Sequence, residues 1–453
     1  MKRDKGFVNL IEKAVPAAVL CLASLCLAGC ELPGFLYDAK CFVNDIVDDV
    51  NYLLSDEEEY EPVVIADSGR KDAKNDVSVG DPDTEVTEEV IQLEDADPGD
   101  MGDEASSAED AALEELLKDE RYYAYHTLSD GERKIYRLLY NSFFDFGKKV
   151  NMPTRNPEMI DKAFDCLLAD NPELFYVKGY NLIKYERGGV VEQLAVSGMY
   201  TMTQSDAKIH RERADQYVDA CLAGMPATAD DYEKIKYLYE YIIKNTEYDL
   251  AAPNGQNFLS VFEGRRSVCQ GYSTAMQYMM NRLGLFCTVV RGITHGSERH
   301  AWNLVKADGD YYYVDVTWGD MSYELTADND MSALPVSPEI SYDYLCVTTA
   351  ELSKTHTIDS AFPVPECVSM NDYYYVREGN YFTAVDDERL WSVFSKGYDN
   401  GDAMVTVKCS DESVYSDMSS YLTEDGRIFD YLRGSKNVNY VTLPNLNELI
   451  FYL

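Results

Sequence analysis

The sequence predicts an α+β protein with a central domain flanked by two smaller α+β modules. Apolar residues at helical spacing mark a helix that begins near Cys269. Two β-rich runs, HAWNLVK and YYYVDVT, are separated by a segment that contains Asp-Gly, which is a strong hairpin signal. Helix-like and strand-like segments alternate in both flanks, over residues 121–228 and 366–453. The acidic region before residue 121 lacks this pattern.

The helix at the cysteine is the first element of the central domain. Its apolar face recurs with the helical period and consists of Tyr272, Ala275, Met276, Met279, Met280 and Leu283. Cys269 stands at or just before the first turn, where unpaired backbone N–H groups and the helix dipole favour an anion. Cys269 is therefore a candidate nucleophile. The alternative is a small buried hydrophobic residue, which is the common role of a free cysteine.

The hairpin that follows brings a histidine and an aspartate together. If Asp308-Gly309 forms a two-residue turn, the register continues back to Trp302 opposite Asp315. Asp315 then lies diagonal to His300, within reach of an imidazole–carboxylate contact. His300 can act as the base for a thiol, and Asp315 can orient that base. A core histidine with satisfied hydrogen bonds is the alternative for His300.

Three motifs resemble the transglutaminase-like superfamily of papain-type cysteine enzymes. They are VCQGY around Cys269, HAWN from His300, and YYYVDVTW followed by Gly319-Asp320. Their spacing of 31 and then 15 residues is typical of bacterial members. The resemblance covers about residues 230–365, and we place the catalytic domain at 229–365.

The resemblance implies both a fold and a site. It implies a core in which the cysteine helix packs on an antiparallel sheet, and a catalytic triad of Cys269, His300 and Asp315. It also implies an oxyanion-stabilising group upstream of the cysteine. Gln256 is the candidate for that group, alongside the backbone N–H of Cys269.

The first 29 residues predict a lipoprotein signal peptide. A basic start precedes a short apolar run over residues 14–27. Leu-Ala-Gly-Cys at residues 27–30 resembles the bacterial lipobox, which implies cleavage before Cys30 and lipidation of its thiol. A plain signal peptide is the alternative. We expect a protein held by acyl chains on the extracellular face of the bacterial cell membrane, within the cell envelope.

Residues 30–120 are predicted to form an acidic, disordered stalk behind the anchor. Residues 56–120 carry 25 acidic and four basic side chains, a net charge of −21 out of −40 for the whole chain, and their one aromatic residue is Tyr60. A segment with so much like charge and so little apolar surface cannot repay the entropy cost of folding. The acidity also argues against a nucleic-acid partner, because phosphate binding requires a positive surface.

The two flanking modules carry no predicted chemistry. In the module 121–228, Ser129 or Asp130 is predicted to cap a helix. In the catalytic domain, Thr228 is predicted to cap the first helix. In the module 366–453, YYYV is predicted to be strand-like and VNYVTL to begin the final strand. His356 is assigned no role.

No cofactor or metal is predicted. Seven cysteines remain after the signal peptide, Cys30 and Cys269 are set aside, and they show neither CxxC spacing nor an even count. No phosphate-binding glycine loop is present in the sequence.

The predicted activity is that of an exported thiol enzyme acting on a peptide, a protein or a cell-wall peptide. The thiolate of Cys269 would attack an amide carbonyl and form a thioester acyl-enzyme. Water as the second nucleophile makes a peptidase or amidase, and an amine makes a cross-linking acyltransferase. Hydrolysis is favoured, although the triad is the same in both cases. A non-catalytic binding or assembly protein that retains the fold is the remaining alternative.

Overall fold

The computed structural model describes residues 85–92, 107–296, 298–320, 340–434 and 437–453. The predicted signal peptide, Cys30 and most of the predicted stalk lie outside these ranges. No helix within the described ranges combines the length and apolar character that a membrane crossing requires.

The N-terminal module is a four-stranded sheet covered by helices. Its strands, in the order β1-β3-β4-β2, are β1 (Glu85–Gln92), β2 (Val150–Met152), β3 (Val177–Arg187) and β4 (Val190–Tyr200). Its helices are Ser107–Leu116, Tyr123–Thr127, Asp130–Phe144, Pro157–Asp170 and Gln204–Leu222, with a 3₁₀ turn at Pro172–Leu174. Ser129 is the N-cap of the third helix and forms a reciprocal capping box with Glu132. Of the two predicted caps, Ser129 and Asp130, the structure therefore has Ser129.

Two segments of the predicted stalk have regular structure, so the prediction of disorder is wrong for them. Strand β1 pairs in parallel with β3, where Lys178 and Lys184 form ion pairs with Glu85 and Glu88 of β1. In the helix Ser107–Leu116, Leu113 is buried in the core, as is Leu117 directly after the helix; they are 6% and 1% exposed. The high local charge therefore does not prevent these two segments from folding, because they are stabilised by residues that lie far along the chain.

The central domain is built around an antiparallel sheet with the order β10-β7-β8-β9. Its strands are β5 (Glu247–Tyr248), β6 (Arg266–Ser267), β7 (Cys287–Thr294), β8 (Arg299–Ala307), β9 (Asp310–Val314) and β10 (His356–Ile358), of which β5 and β6 pair separately. Its helices are Asp231–Asn245, Leu259–Phe262, Cys269–Arg282, Val316–Gly319 and Thr349–Leu352. The first helix is capped by Asp230, with Glu233 completing a capping box, rather than by Thr228.

The helix Cys269–Arg282, called the cysteine helix below, packs on this sheet as expected. Asn303 of β8 donates a buried side-chain hydrogen bond to the backbone oxygen of Ser273 at 3.0 Å. The predicted hairpin register is confirmed, since Ala307 pairs with Asp310 and the ladder extends to Asn303 and Val314. Asp308 and Gly309 both have positive φ, 48° and 93°, which is the conformation of a type I′ turn.

The C-terminal module is a second α+β unit with the strand order β11-β12-β14-β13. Its strands are β11 (Tyr381–Phe382), β12 (Met404–Cys409), β13 (Tyr440–Leu443) and β14 (Glu448–Tyr452). Its helices are Tyr374–Glu378, Asp387–Asn400 and Glu412–Ser419, followed by a π-helical turn Ser420–Glu424 and 3₁₀ turns Arg427–Asp430 and Pro444–Leu446. The tyrosine run that was predicted as a strand is helical and ends at Gly379 with φ 87°. The segment VNYVTL, predicted to begin the final strand, forms β13, and one more strand, β14, follows it.

The N-terminal module and the central domain share one hydrophobic core. Buried side chains of both belong to the same cluster, including Phe143 and Tyr180 from the first and Phe258 and Met276 from the second. Gln277 of the cysteine helix also donates to the backbone oxygen of Ala169 at 2.6 Å. The C-terminal module has a separate apolar cluster. The cysteine helix is therefore held between the sheet of its own domain and the preceding module.

Candidate active site

Cys269 is the first residue of the cysteine helix. Val268 precedes it in extended conformation as the N-cap residue. Among the described cysteines Cys269 is the one that is not buried, and all seven are free thiols. Burial raises the pKa of Cys221, Cys367 and Cys409 to about 12, which makes these thiols poor nucleophiles. The accessible thiol is thus placed where backbone N–H groups lack helical partners.

Close packing fixes the first turn of the cysteine helix. A Cβ atom at Gly271 would collide with the hydroxyls of Ser267 and Ser260 and with the backbone oxygen of Gly255. The two serine hydroxyls are themselves hydrogen bonded at 2.6 Å. The sequence needs glycine at position 271 because the loop before the cysteine lies directly against the helix.

His300 and Asp315 form a buried pair beside the sulfur. His300 lies on β8, and its Nε2 is 2.7 Å from Asp315 Oδ2. Their side chains are 3% and 0% exposed. Asp315 follows β9 and is the N-cap of the short helix Val316–Gly319, where its Oδ1 accepts from the backbone N–H groups of Thr317 (3.0 Å) and Trp318 (3.1 Å). One carboxylate oxygen is thus anchored and the other faces the imidazole.

The electrostatics of the pair favour a charged imidazolium. Burial alone would lower the pKa of His300, but the Asp315 carboxylate and the Cys269 thiol outweigh burial and raise this pKa to about 10. Burial would likewise raise the pKa of Asp315, yet His300 and then His356 hold it well below its usual range. Because Nε2 of His300 faces Asp315, Nδ1 is the ring nitrogen left for the hydrogen bond with Cys269. The histidine thus lies between the cysteine and the aspartate, which is the spatial arrangement that nucleophilic catalysis needs.

The sequence missed a third residue at Asp315. Nε2 of His356 lies 3.2 Å from the same Oδ2, at ion-pair distance, although the alignment falls short of a hydrogen bond. His356 reaches the site because β10 pairs with β7, and β7 in turn pairs with the strand that carries His300. No local signal in the sequence indicates this proximity, since it depends on the strand order of the sheet.

Gln256 lies exposed in the turn before the helix Leu259–Phe262. Its neighbour Gly255 packs beside the first turn of the cysteine helix, so the loop that carries Gln256 is next to the nucleophile. A role for Gln256 at the oxyanion stays a prediction. Lipidation of Cys30 also stays a prediction, since Cys30 lies outside the described residues.

His300, Asp315 and His356 also form the one group among the described residues whose ligand atoms could hold a metal ion, all within 4.8 Å of one another. Tetrahedral zinc with bonds of about 2.0–2.1 Å would separate two ligand atoms by roughly 3.3 Å. The 2.7 Å between His300 and Asp315 is instead the distance of a charge-assisted hydrogen bond. The distance between His300 and Asp315 therefore fits a shared proton better than a shared metal ion.

The site combines a cysteine, a histidine and an aspartate on a mixed α+β fold, and these are the residue types that thiol catalysis uses. Residues 221–316 match the family model described as "Transglutaminase-like superfamily". The three predicted triad residues fall within this range, and His356 falls outside it. The chain thus contains a transglutaminase-like core with additional flanking elements.

Two curated proteins are similar to a part of the chain. The kyphoscoliosis peptidase of Homo sapiens is 27% identical over 105 residues, which is 20% of this chain and 16% of that protein. The Mus musculus protein of the same name is 26% identical over the same length. The chain therefore spans about a sixth of the length of these curated relatives.

Two solved structures are also similar. A TGase crystal structure is 18% identical with a TM-score of 0.23, and covers 31% of this chain and 44% of that one. The periplasmic domain of TgpA from Pseudomonas aeruginosa, bound to ethylmercury, is 17% identical with a TM-score of 0.20, and covers 28% of this chain and 55% of that one.

Proposed function

We propose that this chain is an exported, lipid-anchored cysteine enzyme that cleaves amide bonds of peptides or proteins through a thioester acyl-enzyme. The observation that carries the proposal is the convergence of a partly exposed cysteine at a helix start, a buried histidine and a buried carboxylate. A peptide, a protein or a cell-wall peptide is the substrate class that an envelope location offers. Hydrolysis is our first choice for the second half of the reaction.

The acylation half-reaction follows from the protonation states. The sulfur of Cys269 attacks the amide carbonyl, a C–S bond forms, and negative charge develops on the carbonyl oxygen. The backbone N–H of Cys269 and the side chain of Gln256 are the candidates to stabilise that oxygen. His300 then gives its proton to the leaving amine as the C–N bond breaks, and Asp315 keeps the ring oriented. The result is a thioester and a neutral imidazole.

The neutral imidazole activates the second nucleophile. His300 takes a proton from water, the hydroxide oxygen adds to the thioester carbonyl, and the C–S bond breaks. A carboxylic acid leaves and the thiolate–imidazolium pair returns. If an amine replaces water, the same steps produce a new amide, which is the cross-linking alternative.

A peptide library incubated with the full chain and a labelled primary amine tests the reaction. We expect shortened peptides in mass spectra of the wild type and none with Cys269→Ser, because a serine hydroxyl at this position is far less nucleophilic than a thiolate. Label incorporated into the peptides would favour acyl transfer over hydrolysis. Identical spectra for the two proteins would refute the enzyme and favour a binding or assembly protein.

The lipid anchor needs a separate test, which does not depend on catalysis. In cells fed a labelled fatty acid, the wild-type chain is expected to carry label and to sediment with membranes. Cys30→Ala is expected to lose the label. An unlabelled wild-type chain would contradict the anchor while leaving the proposed reaction intact.

A further inference from the structure

A chain of side-chain contacts leads from Tyr344 to the triad carboxylate. The Tyr344 hydroxyl is 2.9 Å from Thr355 Oγ1, and that oxygen is 2.8 Å from His356 Nδ1. His356 Nε2 in turn lies 3.2 Å from Asp315 Oδ2. Tyr344, His356 and Asp315 are buried, with exposures of 7%, 2% and 1%. None of the three residues before Asp315 has a part in the proposed reaction.

The chemistry of the carboxylate sets the direction of these contacts. An ionised Asp315 can only accept, so a lone pair of His356 Nε2 would be repelled, and Nε2 must carry the hydrogen. Nδ1 of His356 is then the acceptor for the Thr355 hydroxyl. The Thr355 hydroxyl has a second possible acceptor, the backbone oxygen of Leu352, at 3.4 Å. Because His356 Nδ1 is closer, at 2.8 Å, the hydroxyl donates its single hydrogen to His356. Tyr344 completes the chain by donating to Thr355.

Aromatic side chains hold the ring of His356 in place. Its centroid lies 5.0 Å from that of Trp302 and 5.4 Å from that of Tyr344, both in edge-to-face arrangements, and 4.5 Å from that of Trp318. Trp302 and Trp318 also flank His300, at 6.0 and 5.9 Å. The two imidazoles therefore share one aromatic enclosure and one carboxylate oxygen.

We propose that His356 is a positioning residue that holds the Asp315 carboxylate, and through it the ring of His300, in the reactive orientation. Oδ1 of Asp315 is fixed by two backbone N–H groups, and Nε2 of His356 lies 3.2 Å from Oδ2, at ion-pair distance. With two imidazoles beside Oδ2, rotation of the carboxylate is restricted and the carboxylate is a weaker base toward the proton of His300. The Nδ1 atom of His300 then stays directed at the sulfur of Cys269. This inference rests on the proposed role of Cys269 as nucleophile.

The test measures the reactivity of Cys269 in the full chain without any substrate. Iodoacetamide is added at pH 7 and alkylation is followed by mass spectrometry of the peptide that contains Cys269, with the rate normalised to the number of titratable Cys269 thiols. His356→Leu is expected to react about tenfold more slowly per thiol, because the buried carboxylate loses one of its polar partners. His356→Gln retains an N–H at the same reach and is expected to stay within about twofold of wild type.

Two further variants separate positioning from folding. Thr357→Ala changes the exposed neighbour on the same strand and is expected to react like wild type. Thr355→Val removes the hydroxyl that orients His356, and is expected to slow the reaction in the same direction as His356→Leu. If His356→Leu does not fold, Thr355→Val and His356→Gln carry the test.

The outcomes distinguish this inference from the proposed function. Wild-type rates per thiol in His356→Leu and Thr355→Val would overturn the inference, as would a mere loss of titratable thiol at an unchanged rate per thiol. A slow His356→Gln variant would also overturn it, because the retained N–H should rescue. If His300→Ala itself leaves the rate unchanged, the proposed function fails instead.

Discussion

Replacing Asp315 by asparagine removes one charge from the triad while keeping the size and shape of the side chain. The asparagine Oδ1 can still accept from the backbone N–H groups of Thr317 and Trp318, so the start of the helix Val316–Gly319 is preserved. Its amide then presents N–H, in place of a carboxylate oxygen, to Nε2 of His300. His300 must accept there, so its proton moves to Nδ1, the nitrogen that should face the thiolate as a base.

The Asp315 carboxylate is the main group that favours the charged ring of His300. It contributes most of the rise in the pKa of His300 from an ordinary value of 6.5 to about 10, and the Cys269 thiol contributes the rest. Without the carboxylate, burial favours the neutral ring, so the positive charge beside the sulfur of Cys269 is lost. An ordinary thiol is only a few per cent ionised at pH 7, so we expect alkylation of Cys269 to slow about 30-fold. Turnover should fall on the order of 10³-fold, because the tautomer is also wrong.

The assay is iodoacetamide alkylation of Cys269 at pH 7, with turnover measured once a substrate peptide is in hand. The matched control is Asp308→Asn, the same chemical change at the exposed turn of the same hairpin, where asparagine tolerates the positive φ of 48°. This control should react at the wild-type rate. An Asp315→Asn variant that is folded and alkylated as fast as wild type would refute the reasoning, because the charge of Asp315 would then have no influence on the thiol.

The remaining predictions concern stability. The lowered pKa of Asp315 contributes stability above an unfolded-state value of about 3.9, and the raised pKa of His300 contributes stability below about 6.5 that is lost as pH rises through about 10. The difference in unfolding free energy between wild type and Asp315→Asn should therefore be largest, at about 3 kcal/mol, between pH 4 and 6.5. It should shrink toward pH 10. Urea titrations in which this difference does not change with pH would contradict the prediction. Lys408→Met breaks the buried ion pair with Glu448 (2.6 Å) and should cost about 3 kcal/mol in urea denaturation, where a change within error would contradict it. Ser129→Ala removes the capping box and should cost about 1 kcal/mol, seen as a lower thermal midpoint by circular dichroism.

The contact between His300 and Asp315 could be predicted because its geometry is local. The Asp308-Gly309 turn sets the hairpin register, and the register places Asp315 beside His300 without knowledge of the rest of the fold. The helical period likewise places Cys269 at the start of the cysteine helix. That the thiol meets the imidazole could not be worked out from these two patterns alone, because the helix–sheet packing is set by contacts such as the one from Asn303 to Ser273.

Features that depend on distant partners could not be predicted. His356 joins the site only through the pairing of β10 with β7, and β1 is ordered only by its parallel pairing with β3. The tyrosine run at Tyr374–Glu378 has strand propensity but folds as a helix. Tertiary contacts override that propensity, because Tyr374 stacks on Tyr342 at 4.1 Å and Tyr375 donates to Asp343 at 2.7 Å.

The shared core of the N-terminal module and the central domain has a practical consequence for truncation. A recombinant fragment that starts at residue 229 would expose Phe258, whose ring lies 5.0 Å from that of Phe175, and it would leave Gln277 without its acceptor at Ala169. The cysteine helix would lose one of its two supports, so such a fragment is expected to aggregate on expression. Soluble material for crystallisation or assay should instead begin upstream of Glu85, so that the whole scaffold beneath the thiol is retained.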